Sequence, residues 1–383
     1  MTEKPVINFG LEGIYVDESA ISKVDGQNGK LWYRGYTIED LAANSDFEEV
    51  SYLLLYGKLP NKTEFEEFNR KLKDRREVPK EVLEVIRQMA RTSHPMDVMR
   101  TAASMLAMYD KDLNNKDREA TIDKVITLIS KLSSIAAATG RFREGRDYIP
   151  PDKTLGHSAN FLYMLTGKKP SKTEEKLIDL MFILHAEHST NASTFSVLVT
   201  ASTLADIYAA TTTGIGTLKG PLHGGADEAA LKMMQAIGHP DNTEKYIEDA
   251  LEGKQRIMGF GHRVYKVYDP RAKIVRKYLE DQMNNNPTEE VKKLLQIALR
   301  AEKLMIEKLG KNKGIWPNID FFSGPLYRSL GIEGEMFTPI FVASRMSGWG
   351  SHVVEYWNNN KLFRPLEFYN GPLDVPYVPL NKR

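Results

Sequence analysis

Two histidines in this chain are framed by glycine, and that framing is its first chemical signal. His223 stands in Lys219-Gly220-Pro221-Leu222-His223-Gly224-Gly225, and His262 in Gly259-Phe260-Gly261-His262-Arg263-Val264-Tyr265. Glycine lets backbone N–H groups come close to a ligand, and a helix starting just after such a turn adds the positive end of its dipole. One reading is an anion or carbonyl site that presents an imidazole. The other is a Gly/Pro turn whose histidine caps a helix. For His262 the run is weak by itself, since Gly-x-Gly-His does not complete a Gly-x-Gly-x-x-Gly fingerprint and follows no strand.

Other residues add to the signal. Asp320 lies in Trp316-Pro317-Asn318-Ile319-Asp320-Phe321-Phe322-Ser323-Gly324. An aspartate among aromatic residues is desolvated, which raises its pKa toward the range of a general base; the alternative is a turn or N-cap aspartate. In His185-Ala186-Glu187-His188, followed by Asn191-Ala192-Ser193-Thr194, two histidines three apart share a helix face at a spacing that suits a metal. The run is not His-Glu-x-x-His, however, and no acidic third ligand stands at helical spacing. A polar helix end, or His188 and Asn191 presented to a small anion, are the competing readings. Arg271 follows Asp269-Pro270, Arg345 lies in an apolar helix, and Arg364 lies near the end of the chain; arginines in such settings pair with carboxylates. Together the set describes acid–base chemistry on a carbonyl compound that carries carboxylates.

The bulk of the chain bounds that reading. Its 383 residues exceed the size at which one core stops growing, so a large domain plus a smaller one is expected. With 52 Lys and Arg against 51 Asp and Glu, the net charge of +1 offers no general field for nucleic acid or anionic lipid. There is no cysteine, which excludes disulfides, thiolate metal sites and a cysteine nucleophile, and is compatible with a reducing cytoplasm. Met1-Thr2-Glu3-Lys4-Pro5 shows no basic segment leading into an apolar run, so no secretory signal is expected. The most apolar long window, Thr194 to Leu218, contains Asp206 and many Ser, Thr and Gly residues; it falls short of a membrane span and reads as a helix buried all round, within the fold or against a second subunit.

These residues need elements to position them. Ile21 to Tyr33, with Asp-Gly and Asn-Gly at its centre, reads as a β-hairpin. From Thr37 onward the periodicity is helical, with helices near Lys62–Arg75, Lys80–Arg91, Pro95–Tyr109, Arg118–Phe142, Ser158–Leu165 and Thr173–His185. Thr203–Gly216 and Ala226–Ile237 read as the helices flanking His223. Asn284-Asn285-Asn286-Pro287 reads as a turn, and Lys292–Leu309 as a surface amphipathic helix. The charge-rich span from Ala226 to about Lys313 suggests a smaller, more exposed domain inserted in a larger helical one.

With these motifs in their order and spacing, the chain resembles the citrate synthase family. The resemblance rests on Tyr33-Arg34-Gly35-Tyr36, His94-Pro95-Met96-Asp97, Asn191 to Thr194, Lys219 to Gly225, Met258 to Tyr265 and Pro317 to Asp320, and runs over nearly the whole length. The length and the His94 segment are most similar to the short dimeric bacterial and archaeal enzymes, 2-methylcitrate synthases included. The resemblance implies an all-α, two-domain fold with a small N-terminal β-hairpin: a large domain from residues 1–225 and 325–383, and a small domain from 226–324. It implies that Asp320 takes a methyl proton from acetyl-CoA, that His223 steadies the enol or enolate, and that His262 protonates the oxaloacetate carbonyl. His188, Asn191, Arg271, Arg345 and, from a second subunit, Arg364 would serve oxaloacetate. Leu222, Met258, Gly259, Phe260 and Gly261 would line the coenzyme site, with Lys266, Lys311 and Lys313 near its phosphates. Neither a metal nor a cofactor is implied, acetyl-CoA being a substrate; the partner is a second copy of the chain, without nucleic acid or membrane, in the cytoplasm. A propionyl-CoA-using 2-methylcitrate synthase is the closest alternative, and a non-catalytic CoA or carboxylate sensor a more distant one. One departure stands out: Phe321-Phe322 follows the aspartate where many relatives place a tyrosine or histidine.

Overall fold

The computed structural model describes residues 5–282 and 287–383. Met1–Lys4 and the Asn284–Asn286 part of the expected turn lie outside the described residues. The only sheet among them is antiparallel, with β1 (Ser22–Asp25), β2 (Lys30–Tyr33) and β3 (Tyr36–Thr37) in that order and Ser22 opposite Tyr33. Everything else regular is helical: α1 (Ile38–Asn44), α2 (Phe47–Tyr56), α3 (Lys62–Asp74), α4 (Lys80–Met89), α5 (Pro95–Met105), α6 (Arg118–Arg143), α7 (His157–Thr166), α8 (Lys172–His185), α9 (Ala192–Ser202) and α10 (Ile207–Leu218). Then follow α11 (Ala226–Ile237), α12 (Thr243–Glu252), α13 (Pro270–Gln282), α14 (Glu289–Met305), the single turn α15 (Lys311–Lys313), α16 (Ile319–Ser329) and α17 (Phe337–Tyr356).

Local chemistry explains where these helices start. Asn61 and Glu64 form a reciprocal capping box on α3, and Ser171 and Glu174 do the same on α8, satisfying N–H groups that have no partner inside the helix. Pro95 opens α5 behind the His94 cap, a position where the missing proline N–H costs nothing. The core is built around α6 and α17, which are buried along most of their length and pack on each other; α2, α8, α9 and α10 also lie on α17. In a second layer α11, α13 and α14 each pack on α16, and α12 on α14. No helix among the described residues is long and apolar enough to cross a membrane.

Two expectations are corrected. The helix expected over Thr203–Gly216 begins later, at Ile207: α9 ends at Ser202, Leu204 adopts φ 64° with an exposed side chain, and Asp206 caps the new helix by accepting the Tyr208 and Ala209 N–H groups. The apolar window from Thr194 to Leu218 is therefore a helical hairpin with half-exposed faces, because an aspartate that can accept two terminal N–H groups starts a helix more readily than it continues one. In addition, His185 and His188 do not share a helix face. The helix α8 stops at His185, and His188 belongs to the loop beyond it.

The hairpin has a positional task that its sequence does not show. Its turn lies against residues 264–268: the Gly26 carbonyl accepts the Lys266 N–H (2.9 Å), and a Cβ at Gly26 would sit 2.1 Å from the Val264 oxygen. At its other end Ser22 Oγ donates to Glu187 (2.9 Å) and the Tyr33 hydroxyl donates to the Glu187 carbonyl (2.7 Å). One small sheet thus backs both the His188 loop and the His262 loop.

Candidate active site

His223 sits on the turn between α10 and α11. Lys219 ties that turn to α5 through both Asp97 carboxylate oxygens (2.8 and 2.7 Å), and the Gly224 N–H folds back to the Leu218 carbonyl (2.9 Å). A side chain at Gly224 would meet that carbonyl at 2.5 Å, so this reversal needs glycine. The ring's hydrogen bonds define its tautomer. Trp349 donates its indole N–H to Ser193 Oγ (3.2 Å), Ser193 Oγ lies 2.8 Å from His223 Nε2, and the Ser193 N–H is aimed at the same nitrogen (3.4 Å). Asn191 Oδ1 (2.8 Å) and Nε2 compete for the one Ser193 hydroxyl proton, so it is the Ser193 N–H that makes Nε2 an acceptor and leaves the ring proton on Nδ1. Burial, assisted by the charge of Arg345, pulls this imidazole down to about 4, so it is neutral at pH 7.

His262 has the opposite tautomer. Its Nδ1 accepts the N–H groups of Val264 (3.0 Å) and Tyr265 (3.2 Å), leaving the proton on Nε2. Burial and then Arg271 bring it down to about 4 as well. The ring lies 5.3 Å from His188, which is itself neutral because burial and Arg271 drive it well below the ordinary value, and whose Nε2 is 3.2 Å from the Tyr265 hydroxyl.

Asp320 is the second residue of α16. Asn318 caps that helix with its Oδ1 (3.1 Å to the Asp320 N–H), while its own N–H donates to the Gly259 carbonyl (2.9 Å) and its Nδ2 to the Gly261 carbonyl (2.8 Å). One asparagine thereby locks the aspartate's helix to the histidine's loop. Gly259, at φ 79°, lies so close that a Cβ would come within 2.7 Å of the Phe321 Cα. Burial raises the Asp320 carboxyl to about 6, with Arg271 and Arg345 pulling the other way and Asp269 adding to the rise.

Two arginines complete the centre. Arg271, in the first turn of α13, is paired with Asp269 through Nε (3.1 Å) and Nη2 (2.8 Å); despite burial, that pairing pushes the guanidinium pKa up. Asp269 also accepts the Ile319 N–H (3.3 Å), so the same carboxylate anchors an arginine and the start of α16. Arg345 is fully buried on α17, donates Nε to the His185 carbonyl (2.7 Å), and keeps Nη1 without a hydrogen-bond partner among the described residues. A buried cationic donor left free is what a site for a carboxylate needs.

The remaining expected residues are placed as follows. Asn191 caps α9 through Oδ1 (3.1 Å to the Thr194 N–H) and donates Nδ2 to the His188 and Ser189 carbonyls, so its amide shapes the loop and has no group left over for an anion. Leu222 is 88% exposed at the tip of the His223 turn. Met258 and Phe260 are half-buried, and the Gly261 N–H is bound to the Trp316 carbonyl (2.8 Å). Lys266, Lys311 and Lys313 are exposed, with the Lys266 carbonyl 3.5 Å from where a Cβ of Gly314 would stand. Arg364 lies in the exposed segment after α17, and among the described residues its guanidinium meets the Pro365 carbonyl alone, at 3.4 Å. Buried Phe322 packs on Phe321, whose ring stacks obliquely on Phe260 at 4.5 Å. Sequence reasoning missed Ser193, Asp269, Asn318 and Phe341. The first three stand inside the motifs quoted for their neighbours, a signal that was available. Phe341 carries none; it lies under the Arg345 guanidinium (4.7 Å) and 6.2 Å from the His223 ring.

A helical fold holding two neutral histidines, a carboxyl poised near 6 and two buried arginines makes an enzyme-like acid–base site suited to a carboxylate-bearing compound. Residues 10–366 match the family model described as "Citrate synthase, C-terminal domain". The citrate synthase of Synechocystis sp. is 43% identical over 100% of this chain and 96% of its own length. A 2-methylcitrate synthase of Corynebacterium glutamicum is 39% identical over 98% of each. The structure of the Thermoplasma acidophilum citrate synthase, a ternary complex with carboxymethyl coenzyme A and oxaloacetate, superposes with a TM-score of 0.94 at 35% identity, covering 99% of this chain and 100% of that one. The chain belongs to the citrate synthase family.

Proposed function

We propose that this chain condenses acetyl-CoA with oxaloacetate and hydrolyses the citryl-CoA formed to citrate and CoA, with Asp320, His223 and His262 as its catalytic groups. The observation that carries the assignment is the pair of fixed tautomers: His223 offers one free N–H at Nδ1 and His262 one at Nε2, beside a carboxyl whose pKa lies near 6. Asp320, ionised above that pH, takes a methyl proton from the acetyl group. The thioester oxygen gains the negative charge and receives the His223 Nδ1–H, a neutral donor held ready by Ser193. The nucleophilic carbon then attacks the oxaloacetate carbonyl, whose oxygen is held by His262 Nε2–H. Burial and then Arg271 keep His262 neutral, and with Nδ1 occupied by two backbone N–H groups the proton it can offer the developing alkoxide as the carbon–carbon bond closes is the one on Nε2. Arg271, Arg345 and His188 hold the carboxylates.

The layer of α11 to α16 supports a small domain near residues 226–324, its last helix running on to Ser329, that closes on a large domain of 1–225 and 325–383, bringing Asp320 and His262 onto oxaloacetate and excluding water. Arg364 is exposed in one chain and, among the described residues, makes no hydrogen bond or ion pair with these groups, which supports its service to a partner's site. The segment after α17 exposes Leu366, Tyr369, Leu373, Tyr377 and Leu380, as an arm laid on a second copy does. We take the enzyme to be a cytoplasmic homodimer that needs no cofactor. Release of CoA from acetyl-CoA, dependent on oxaloacetate, tests the reading; its absence from folded protein refutes it. One methylene is worth about 1–3 kcal/mol, so propionyl-CoA is expected to react with a kcat/KM about tenfold lower, and a reversed preference would favour 2-methylcitrate synthesis.

A further inference from the structure

The two arginines of the site differ in how their charge is balanced. Arg271 is held by Asp269 in a direct two-point pair, whereas Arg345 has no ion pair within 4.0 Å among the described residues. Opposite Arg345 lies Glu187, fully buried in the short run between the two histidines of that loop. The run 185–187 is laid along one face of α17. Arg345 Nε binds the His185 carbonyl (2.7 Å), the Gly348 N–H binds the Ala186 carbonyl (3.1 Å), and His352 Nε2 meets Glu187 Oε1 at 3.0 Å. Residues 345, 348 and 352 repeat at helical spacing on that face. Glu187 Oε2 rests on Gly348, where a Cβ would approach it to 2.2 Å, and has no hydrogen-bond partner among the described residues; Arg345 Nη1 has none either. Despite burial, the contact with His352 and the charge of Arg345 hold the Glu187 carboxyl below its usual range, so it is ionised.

We propose that Glu187, which touches no substrate, is the resident counter-ion of Arg345: a positioning residue whose negative charge, set one helical turn away by Gly348, moderates the site's attraction for anions. A buried guanidinium without such a partner would hold a di- or tricarboxylate too tightly to release it; one in direct contact with a carboxylate would have to break that pair for every substrate. Glu187 is near enough to be felt and too far to occupy the donor. The inference rests on the reading of Arg345 as an oxaloacetate ligand.

Glu187→Gln keeps the shape and the contacts of Ser22 and His352 while removing the charge. The expected result is an oxaloacetate Kd, by calorimetry, that falls about fivefold or more, with a lower kcat limited by product release and a larger rise in Tm on adding oxaloacetate than in wild type. A merely structural role predicts the reverse, a looser site and a higher Kd, so an unchanged or increased Kd overturns the proposal. Glu187→Asp retains the charge at shorter reach; its Kd is expected within about threefold of wild type, and a drop equal to that of Gln overturns the proposal, which keeps it open to refutation even if the Gln protein does not fold. Arg345→Lys separates the two claims. If it leaves oxaloacetate binding intact, the reading of Arg345 fails; if binding collapses while Glu187→Gln changes nothing, only the counter-ion inference fails.

Discussion

The molecule holds two buried clusters made from nearly the same ingredients. At the junction of α2, α7 and α8, Glu48, Asp179, His157 and Arg76 are all sealed from solvent; burial lifts Glu48 to about 8 and Asp179 to about 6, and drops His157 to about 3. The candidate active site shows similar shifts in Asp320, His223 and His262. In the first cluster Glu48 accepts the His157 N–H (2.6 Å), Asp179 accepts the Phe47 N–H (3.2 Å) and the Ser158 hydroxyl (2.7 Å), and Arg76 donates to the Asp152 and Leu155 carbonyls (3.0 Å each). Those groups finish helix ends and loops. Free atoms occur in both clusters, since His157 Nδ1 and Arg76 Nε and Nη2 lack a partner among the described residues just as one nitrogen of His223 and of His262 does; what differs is access, because the first four groups are sealed whereas Asp320, His223 and His262 are only half-buried. A perturbed pKa marks desolvation; a perturbed group that stays half-exposed is the better mark of chemistry.

The sharpest way to break this contrast is to neutralise one carboxyl in each cluster. Asp320→Asn is expected to lower kcat by about 10³-fold with little change in Tm, while Glu48→Gln, already protonated in the fold at pH 7, leaves kcat near wild type. A large loss of kcat in the Glu48 variant at unchanged folding would erase the distinction. His223→Ala comes next: removal of one donor to a developing enolate is expected to cost about 10²-fold or more in kcat, with the oxaloacetate Kd, read by calorimetry, moving less than about threefold.

Acid separates the clusters by slope. In the site, kcat should fall about tenfold per pH unit below about 6, as Asp320 takes a proton. In the sealed cluster the effect is on stability. His157 stays neutral in the fold down to about 3, whereas the unfolded chain protonates it near its ordinary pKa of about 6.5. Its contribution is therefore complete above about 6.5 and is lost as pH falls through the window toward 3. A His157→Gln protein should show a flatter decline of Tm between pH 6.5 and 4, and the same slope as wild type would refute this. The smallest expected effect belongs to Asn191→Ala, a lost N-cap worth about 1 kcal/mol with kcat lowered only a few-fold; a loss comparable to that of His223→Ala would make its amide a substrate ligand.

Much of this was legible in one dimension. The hairpin, the start of α11 at Ala226 and the turn around His223 are local events, decided by Gly, Pro and capping residues within a few positions of one another. The break at Leu204 was missed because apolar periodicity ran across it, and the capping power of Asp206 was overlooked. The face-sharing of His185 and His188 failed since spacing implies a common face only while the helix continues.

The sequence by itself determined which residues carry chemistry and the short segments that present them, because side-chain type and backbone preference act over a turn or two. Only the tertiary structure decided the tautomers of His223 and His262, the lock of Asn318 between two loops, the backing of both histidine loops by the hairpin, and the seat of Glu187 against Gly348. Those facts depend on contacts between segments up to 240 positions apart, as Gly26 and Lys266 are, which the packing of the helices brings within hydrogen-bonding distance.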